Sequence, residues 1–289
     1  MNRLYTIVAT MIIAASCTSN ADKGVMDLQS QQIGISSVHN ARQLGGYRIG
    51  RKQIKKDLLL RTAGLASLSE ADSMLLADNY KVQRIYDFRG NEESKNAPDV
   101  IPGNAGYLSL SISFGDRSSA SQFGNLSQEE MIGMLLKYAD NPMIQDMCEH
   151  MYDKIFLEES SHEVYRRFFA DLVSLDPADG AVLWHCTQGK DRAGSASAML
   201  LAALGADRDL IMADFRLSKD YYDPFISRIP VENDTQSNVL NTLISANSEV
   251  FEKTLDKIDA EFGSLRNYLT ECIGVTPEMM ETLREKYLQ

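Results

Sequence analysis

The sequence predicts one α/β domain on a parallel, or mostly parallel, central sheet flanked by helices, with a helical insertion and a helical C-terminal tail. Three observations carry this. Short apolar runs bounded by turn residues alternate with helical periodicities, the order that yields a parallel sheet covered on both faces. The 289 residues leave room for one large domain or two ordinary ones, and no repeat or low-complexity tract divides them. Hydrophobic residues at 44% and charged residues at 24% are those of a folded globule and not of a disordered chain.

Segments 82–88 (VQRIYDF), 107–112 (YLSLSI) and 181–186 (AVLWHC) read as strands, with 53–61 a further candidate. The helix over 69–78 starts on a Ser cap with Asp72 at its third helical position. Segments 128–138 and 143–156 form a helical pair, and 164–175 leads back to the sheet. Segment 193–204 is stopped by Gly205, 208–218 follows, and the tail from about 237 to 289 is helical throughout. The pair lies in an insertion of about 125–158 and carries a methionine face: Met131, Met134, Met143, Met147 and Met151. Such a face either packs on the core or belongs to a lid, where Met is an adaptable surface.

At the N-terminus Arg3 precedes an apolar run over 4–15, then Ala14-Ala15-Ser16 and Cys17. Charge, apolar stretch and small residues in that order make 1–16 a signal segment. Cys17 at the cut resembles a bacterial lipobox, with Ala14 where Leu is usual; plain cleavage before Cys17 is the alternative, a retained anchor or a structural helix the third. Residues 17–35 then read as a lipidated cysteine and a flexible tether. The expected location is the cell envelope, on its periplasmic or outer-surface side, or else secretion. With Cys17 modified, Cys148, Cys186 and Cys272 remain, an odd number that leaves at least one free thiol.

A net charge of −11 argues against a general nucleic-acid binder. Any bound phosphate needs a focused local site, and residues 185–194 (HCTQGKDRAG) supply one. They lie where a buried strand meets a small-residue helix, the place where α/β sheets bind ligands. Backbone N–H groups of Thr187, Gln188, Gly189 and Lys190 can form an anion nest above the helix N-terminus. The helix dipole and nearby cations favour the thiolate of Cys186. Arg192 can fork two N–H donors onto phosphoryl oxygens, and Lys190 adds a second cation. The bland reading is a buried Cys ending a strand beside a solvated turn.

Cys-x5-Arg resembles the loop of the cysteine-dependent phosphatases. The fuller His-Cys-x-x-Gly-Lys-Asp-Arg-x-Gly string resembles the bacterial secreted tyrosine-phosphatase family, which also takes serine/threonine phosphates and phosphoinositides. Further pieces agree in order: Asn40-Ala41-Arg42-Gln43-Leu44-Gly45-Gly46, Leu60-Arg61-Thr62-Ala63-Gly64-Leu65, Ile85-Tyr86-Asp87-Phe88-Arg89, Asp214-Phe215-Arg216-Leu217-Ser218, and a tail from Leu255 to Leu269. Residues 36–289 would then form one phosphatase domain. The resemblance implies a Cys186 thiophosphate intermediate, with Arg192 and the loop amides on the equatorial oxygens and no metal or other cofactor. The four histidines show no ligand spacing, and His185 is expected to orient the loop. As general acid Asp191 ranks first, Asp87 second (or a structural partner of Arg89 or Arg61), and Asp116 third.

Ala193 departs from the family pattern, which has Ser or Thr after the Arg to stabilise the departing thiolate; Thr187 is a candidate substitute. The expected substrates are phosphotyrosine or phosphoserine proteins, phosphoinositides or inositol phosphates. No nucleic acid is expected, and membrane contact only through the lipid. Two rivals stand beside the hydrolase: a catalytically weak phosphate-binding module, and a sulfurtransferase or arsenate reductase using the same anion loop.

Overall fold

The segments over 59–62 and 182–185, each buried on both faces, lie side by side in the sheet. The computed structural model describes residues 28–112 and 128–289. Its strands are β1 (Arg42–Gln43), β2 (Arg48–Ile49), β3 (Lys52–Gln53), β4 (Leu59–Thr62), β5 (Arg84–Asp87), β6 (Gly106–Ser109) and β7 (Val182–His185). The main sheet among the described residues has the order β1-β4-β7-β5-β6. Strand β7 runs parallel to β4 and β5, and β6 parallel to β5, while β1 is antiparallel to β4. The expected signal segment, Cys17 and Asp116 lie outside the described residues.

Around the sheet stand α1 (Leu28–Gln31), α2 (Glu70–Met74), α3 (Asn91–Asn96), α4 (Gln128–Lys137), α5 (Pro142–Leu157), α6 (Glu159–Ser174), α7 (Asp191–Leu204), α8 (Arg208–Ile226), α9 (Asp234–Leu243), α10 (Ser248–Phe262), α11 (Leu265–Tyr268) and α12 (Pro277–Tyr287). Ser69 caps α2 by accepting from the Asp72 N–H at 3.2 Å. Gly205 ends α7 at φ +96°.

Three segments differ from expectation. Segment 53–61 is two strands, broken by Asp57 at φ +64°. The helix expected over 208–218 runs on to Ile226 with Pro224 inside it, because its face stays buried through Tyr222. The tail is interrupted at Gly263 and Gly274, both at positive φ.

The main core joins the sheet to α5, α6, α7, α8 and α10. Phe168 packs edge-to-face on Tyr86, Phe88 and Trp184, and Phe215 stacks on Phe251 at 3.9 Å. The two insertion helices are not alike. Helix α5 buries Met151, Tyr152, Ile155 and Phe156 in the main core. Helix α4 instead places Ile132 and Leu135 in a separate cluster with Cys148 and with Val239 and Leu240 of α9. Met143, 69% exposed, faces solvent. Cys148, Cys186 and Cys272 are free thiols.

Candidate active site

In the parallel register Thr62, His185 and Asp87 stand level, so three strand ends meet where the chain leaves β7 at Cys186. Cys186 is 2% exposed. Five residues later α7 begins, its first N–H groups facing the loop. Gly189 has φ +65°, and a Cβ there would lie 2.4 Å from the Thr62 carbonyl oxygen. Only glycine lets the loop pass this close to β4.

The motif pieces scattered through the chain converge behind this loop. Asn40 Nδ2 and Arg61 Nη2 donate to the Gly189 carbonyl at 2.9 and 2.8 Å. Arg61 Nη1 and Arg42 Nε meet the two carboxylate oxygens of Asp214 at 2.6 and 3.3 Å, and the Tyr47 hydroxyl donates to Oδ1 at 2.9 Å. Arg42 and Asn40 also share the Ser218 hydroxyl, each at 3.1 Å. Burial opposes the charge of Asp214, but Arg42 and Arg61 hold its carboxyl below the ordinary range. Burial, then the neighbouring Arg42, lowers Arg61 to about 10, so it stays charged at neutral pH. Arg61 and Asn40 therefore brace the loop through the Gly189 carbonyl, and Arg42 holds both through Asp214 and the Asn40 side-chain oxygen.

Arg192, in the first turn of α7, reaches back across the strand ends. Its Nη1 donates to the carbonyls of Ile112 (3.0 Å) and Phe88 (3.4 Å). Glu93 of α3 takes both terminal nitrogens, Nη1 at 2.6 Å and Nη2 at 2.8 Å. Thr187 accepts from Nη2 at 3.1 Å and gives its own proton to Glu93 Oε1 at 2.5 Å. Burial works against the Glu93 charge, but the bonds from Arg192 prevail and hold the carboxyl at about 2. Burial likewise disfavours charge on Arg192, outweighed by Glu93 and by nearby Cys186, so its pKa is raised.

Lys190 is fully buried, its ammonium on the Asp191 carboxylate at 3.0 Å and on the Thr242 carbonyl of α9 at 3.1 Å. Asp191 also accepts from the Tyr152 hydroxyl of α5 at 2.7 Å, and its side chain is 13% exposed. The Gln188 carbonyl accepts from the Tyr222 hydroxyl of α8 at 2.7 Å. The loop is thus tied to α5, α8 and α9 together.

Asp87 is completely buried, its oxygens taken by the Arg89 backbone and guanidinium at 2.9–3.1 Å and by Tyr107 at 2.5 Å. Arg89 Nη2 also meets Asp99 at 2.6 Å, and His185 Nε2 lies 3.2 Å from the same carboxylate. Ligand atoms of Asp87, Asp99 and His185 come within 4.8 Å of one another, a spacing that could hold a metal ion. The guanidinium of Arg89 already brings the positive charge between the two carboxylates.

Sequence comparison decides the family. The model of the tyrosine phosphatase family matches residues 33–289. This chain belongs to the tyrosine phosphatase family. A Cupriavidus necator protein with a provisional tyrosine-protein phosphatase name is 27% identical over 89% of this chain and 88% of its own. The triple specificity protein phosphatase PtpB of Mycobacterium tuberculosis is 30% identical over 127 residues, 39% of this chain and 46% of that protein. Among solved structures, the Siw14 catalytic core covers 78% of this chain and 93% of that chain at 11% identity and a TM-score of 0.31, a likeness too loose to inform the site. The protein is accordingly a phosphatase of the protein-tyrosine-phosphatase type.

Glu93, Asp99, Tyr152 and Thr242 were not singled out in the sequence. Glu93 alone left a signal there, as the third residue of a helix that opens after Gly90, whose N–H it accepts at 2.7 Å.

Proposed function

We propose that this phosphatase hydrolyses phosphomonoesters through Cys186. The thiolate attacks phosphorus in line, the S–P bond forms as the P–O bond to the leaving group breaks, and water then hydrolyses the thiophosphate. Arg192 and the loop amides hold the equatorial oxygens as charge develops. The observation that carries this reading is the return of Arg192 to the strand ends around Cys186, pinned by Glu93 and two backbone carbonyls. Asp191, partly exposed beside the loop, is the acid that protonates the leaving oxygen and then the base that activates water. Asp87 anchors Arg89 with both oxygens and is assigned that structural task.

Glu93 is a positioning residue. Its pKa of about 2 is depressed, so its hold on Arg192 is present above the ordinary carboxylate range and lost only as pH falls through about 2. It stays ionised near neutrality and donates no proton to a leaving group. Glu93→Gln is expected to lower kcat/KM by about 10- to 100-fold through a displaced Arg192, with the fold retained by circular dichroism. An unchanged kcat/KM would remove Glu93 from the mechanism.

Ala193 leaves the second step without its usual hydroxyl, and Thr187 is a poor substitute because its single proton goes to Glu93. We expect a pre-steady-state burst of leaving group, and Ala193→Ser is expected to shrink it while raising kcat about tenfold. Rapid-quench kinetics with p-nitrophenyl phosphate tests this; no burst in either form would refute slow dephosphorylation.

Lys190 turns its charge inward to Asp191 and Thr242, which leaves Arg192 as the loop's cation toward the ligand. This favours a single phosphoryl group, as in phosphotyrosine or phosphoserine proteins, over inositol polyphosphates. The triple-specificity name of the M. tuberculosis relative supports a range wider than phosphotyrosine. Phosphate release from a phosphotyrosine peptide, a phosphoserine peptide and a phosphoinositide ranks these, and a preference for the phosphoinositide would overturn the order. Residues 1–17 support export and lipidation at Cys17, and mass spectrometry of the mature N-terminus tests both.

A further inference from the structure

Although the chain is acidic overall at −11, residues 48–56 contain five cations and no acid: Arg48, Arg51, Lys52, Lys55 and Lys56. The β2–β3 hairpin gathers them. Arg48 pairs with Gln53 and Ile49 with Lys52 across a turn at Gly50, φ +61°. The hairpin is fixed to the body: Ile49 and Ile54 are buried, Ile54 bridges Leu288, and Gln53 exchanges two backbone hydrogen bonds with Gln289. Lys55 spends its charge on the Lys286 carbonyl at 2.6 Å. Arg48, Arg51, Lys52 and Lys56 stay exposed, and no ion pair among the described residues engages them.

The position of this patch is set by topology. Strand β1 is antiparallel to β4, with Arg42 opposite Arg61 and Leu44 bonded to Leu59, so the chain leaves β1 away from Cys186. The hairpin therefore caps the end of the sheet opposite the active site. Gln32, just after α1, bridges to Arg42 at the start of β1, the strand that leads into the hairpin.

We propose that the β2–β3 hairpin docks the protein on an anionic phospholipid surface. A planar bilayer touches only this pole, where four unpaired cations project; a long nucleic acid would also run over the acidic remainder and be repelled. Docked in this way, the catalytic loop faces away from the bilayer, toward substrates in solution or on other proteins. The contact is additional to any lipid on Cys17.

The full chain carrying Cys17→Ser, so that no acyl group contributes, is sedimented with phosphatidylcholine vesicles with and without phosphatidylglycerol. Phosphatidylglycerol is expected to strengthen partition by about tenfold or more at low salt, and added salt to reverse it. R48Q/R51Q/K52Q/K56Q is expected to lose that gain while turning over p-nitrophenyl phosphate normally, which also reports an intact fold. The control K137Q/R228Q/K253Q/R266Q, with the same change in charge, is expected to keep it. Equal partition on both vesicles, or equal loss in the two quadruple variants, overturns the proposal. Retention on DNA or heparin without selectivity between vesicles overturns it in favour of a different polyanion.

Discussion

Cys186→Ser is expected to abolish turnover, by roughly 10³-fold or more, because the sulfur nucleophile is replaced by a hydroxyl, which is far less readily ionised and less nucleophilic toward phosphorus. The fold should survive. Cys186 is 2% exposed, the substitution shortens one side chain slightly, and the loop is held through the Gly189 carbonyl and the Arg192 guanidinium, neither of which changes. The variant should therefore still bind a phosphotyrosine peptide with affinity near that of the unmodified protein. Phosphate release and calorimetric binding, measured on the same preparations, read the two expectations separately. Persistent turnover in the serine form would mean that the nucleophile lies elsewhere. Formation of a persulfide on Cys186 from thiosulfate, with no phosphate release, would instead favour sulfur transfer.

The second large effect is on stability. Asp214→Asn leaves Arg42 and Arg61 buried with no carboxylate between them, and breaking such an arrangement from one side costs about 3–5 kcal/mol. For a domain of this size that lowers the thermal midpoint by roughly 10 °C. The pH dependence has a definite sign. The Asp214 carboxyl is depressed in the folded state, so its contribution is present above the ordinary carboxylate range and is lost as pH falls below it. The unmodified protein should lose stability on acidification, and the Asn variant should lose less over the same interval. Activity should fall as well, since Arg61 then has less to hold it against the Gly189 carbonyl. A variant melting within a degree or two of the parent would show that the network carries little of the stability.

Several pieces legible as motifs turn out to be one object. Asn40 with Arg42, Arg61, and Asp214 with Ser218 come from three separate stretches of the chain, and their order alone pointed to a family. Folding brings them into a single buried network behind Gly189. Conversely, Lys190 and Asp87 read in the sequence as a phosphate cation and a second candidate acid. In the fold Lys190 turns to Thr242 of α9 and Asp87 is enclosed by Arg89 and Tyr107. The methionine face of the insertion does not stay together: Met151 of α5 enters the main core, Met131 of α4 packs on the cluster shared with α9, and Met143 faces solvent.

Local information was enough for the alternation of strands and helices, for the start of α2 at Ser69, for the stop of α7 at Gly205, and for the loop at 186–192. Each depends on residues within a few positions of one another, through side-chain period, capping and the φ freedom of glycine. Glu93 on Arg192, Tyr152 on Asp191 and Thr242 on Lys190 join residues 99, 39 and 52 positions apart. Nothing in a single sequence marks such pairs, because a buried charge takes whichever partner the packed helices bring to it. The Cys186-to-Arg192 spacing is visible in the sequence; what holds Arg192 in place was decided only when α3 was laid across the strand ends.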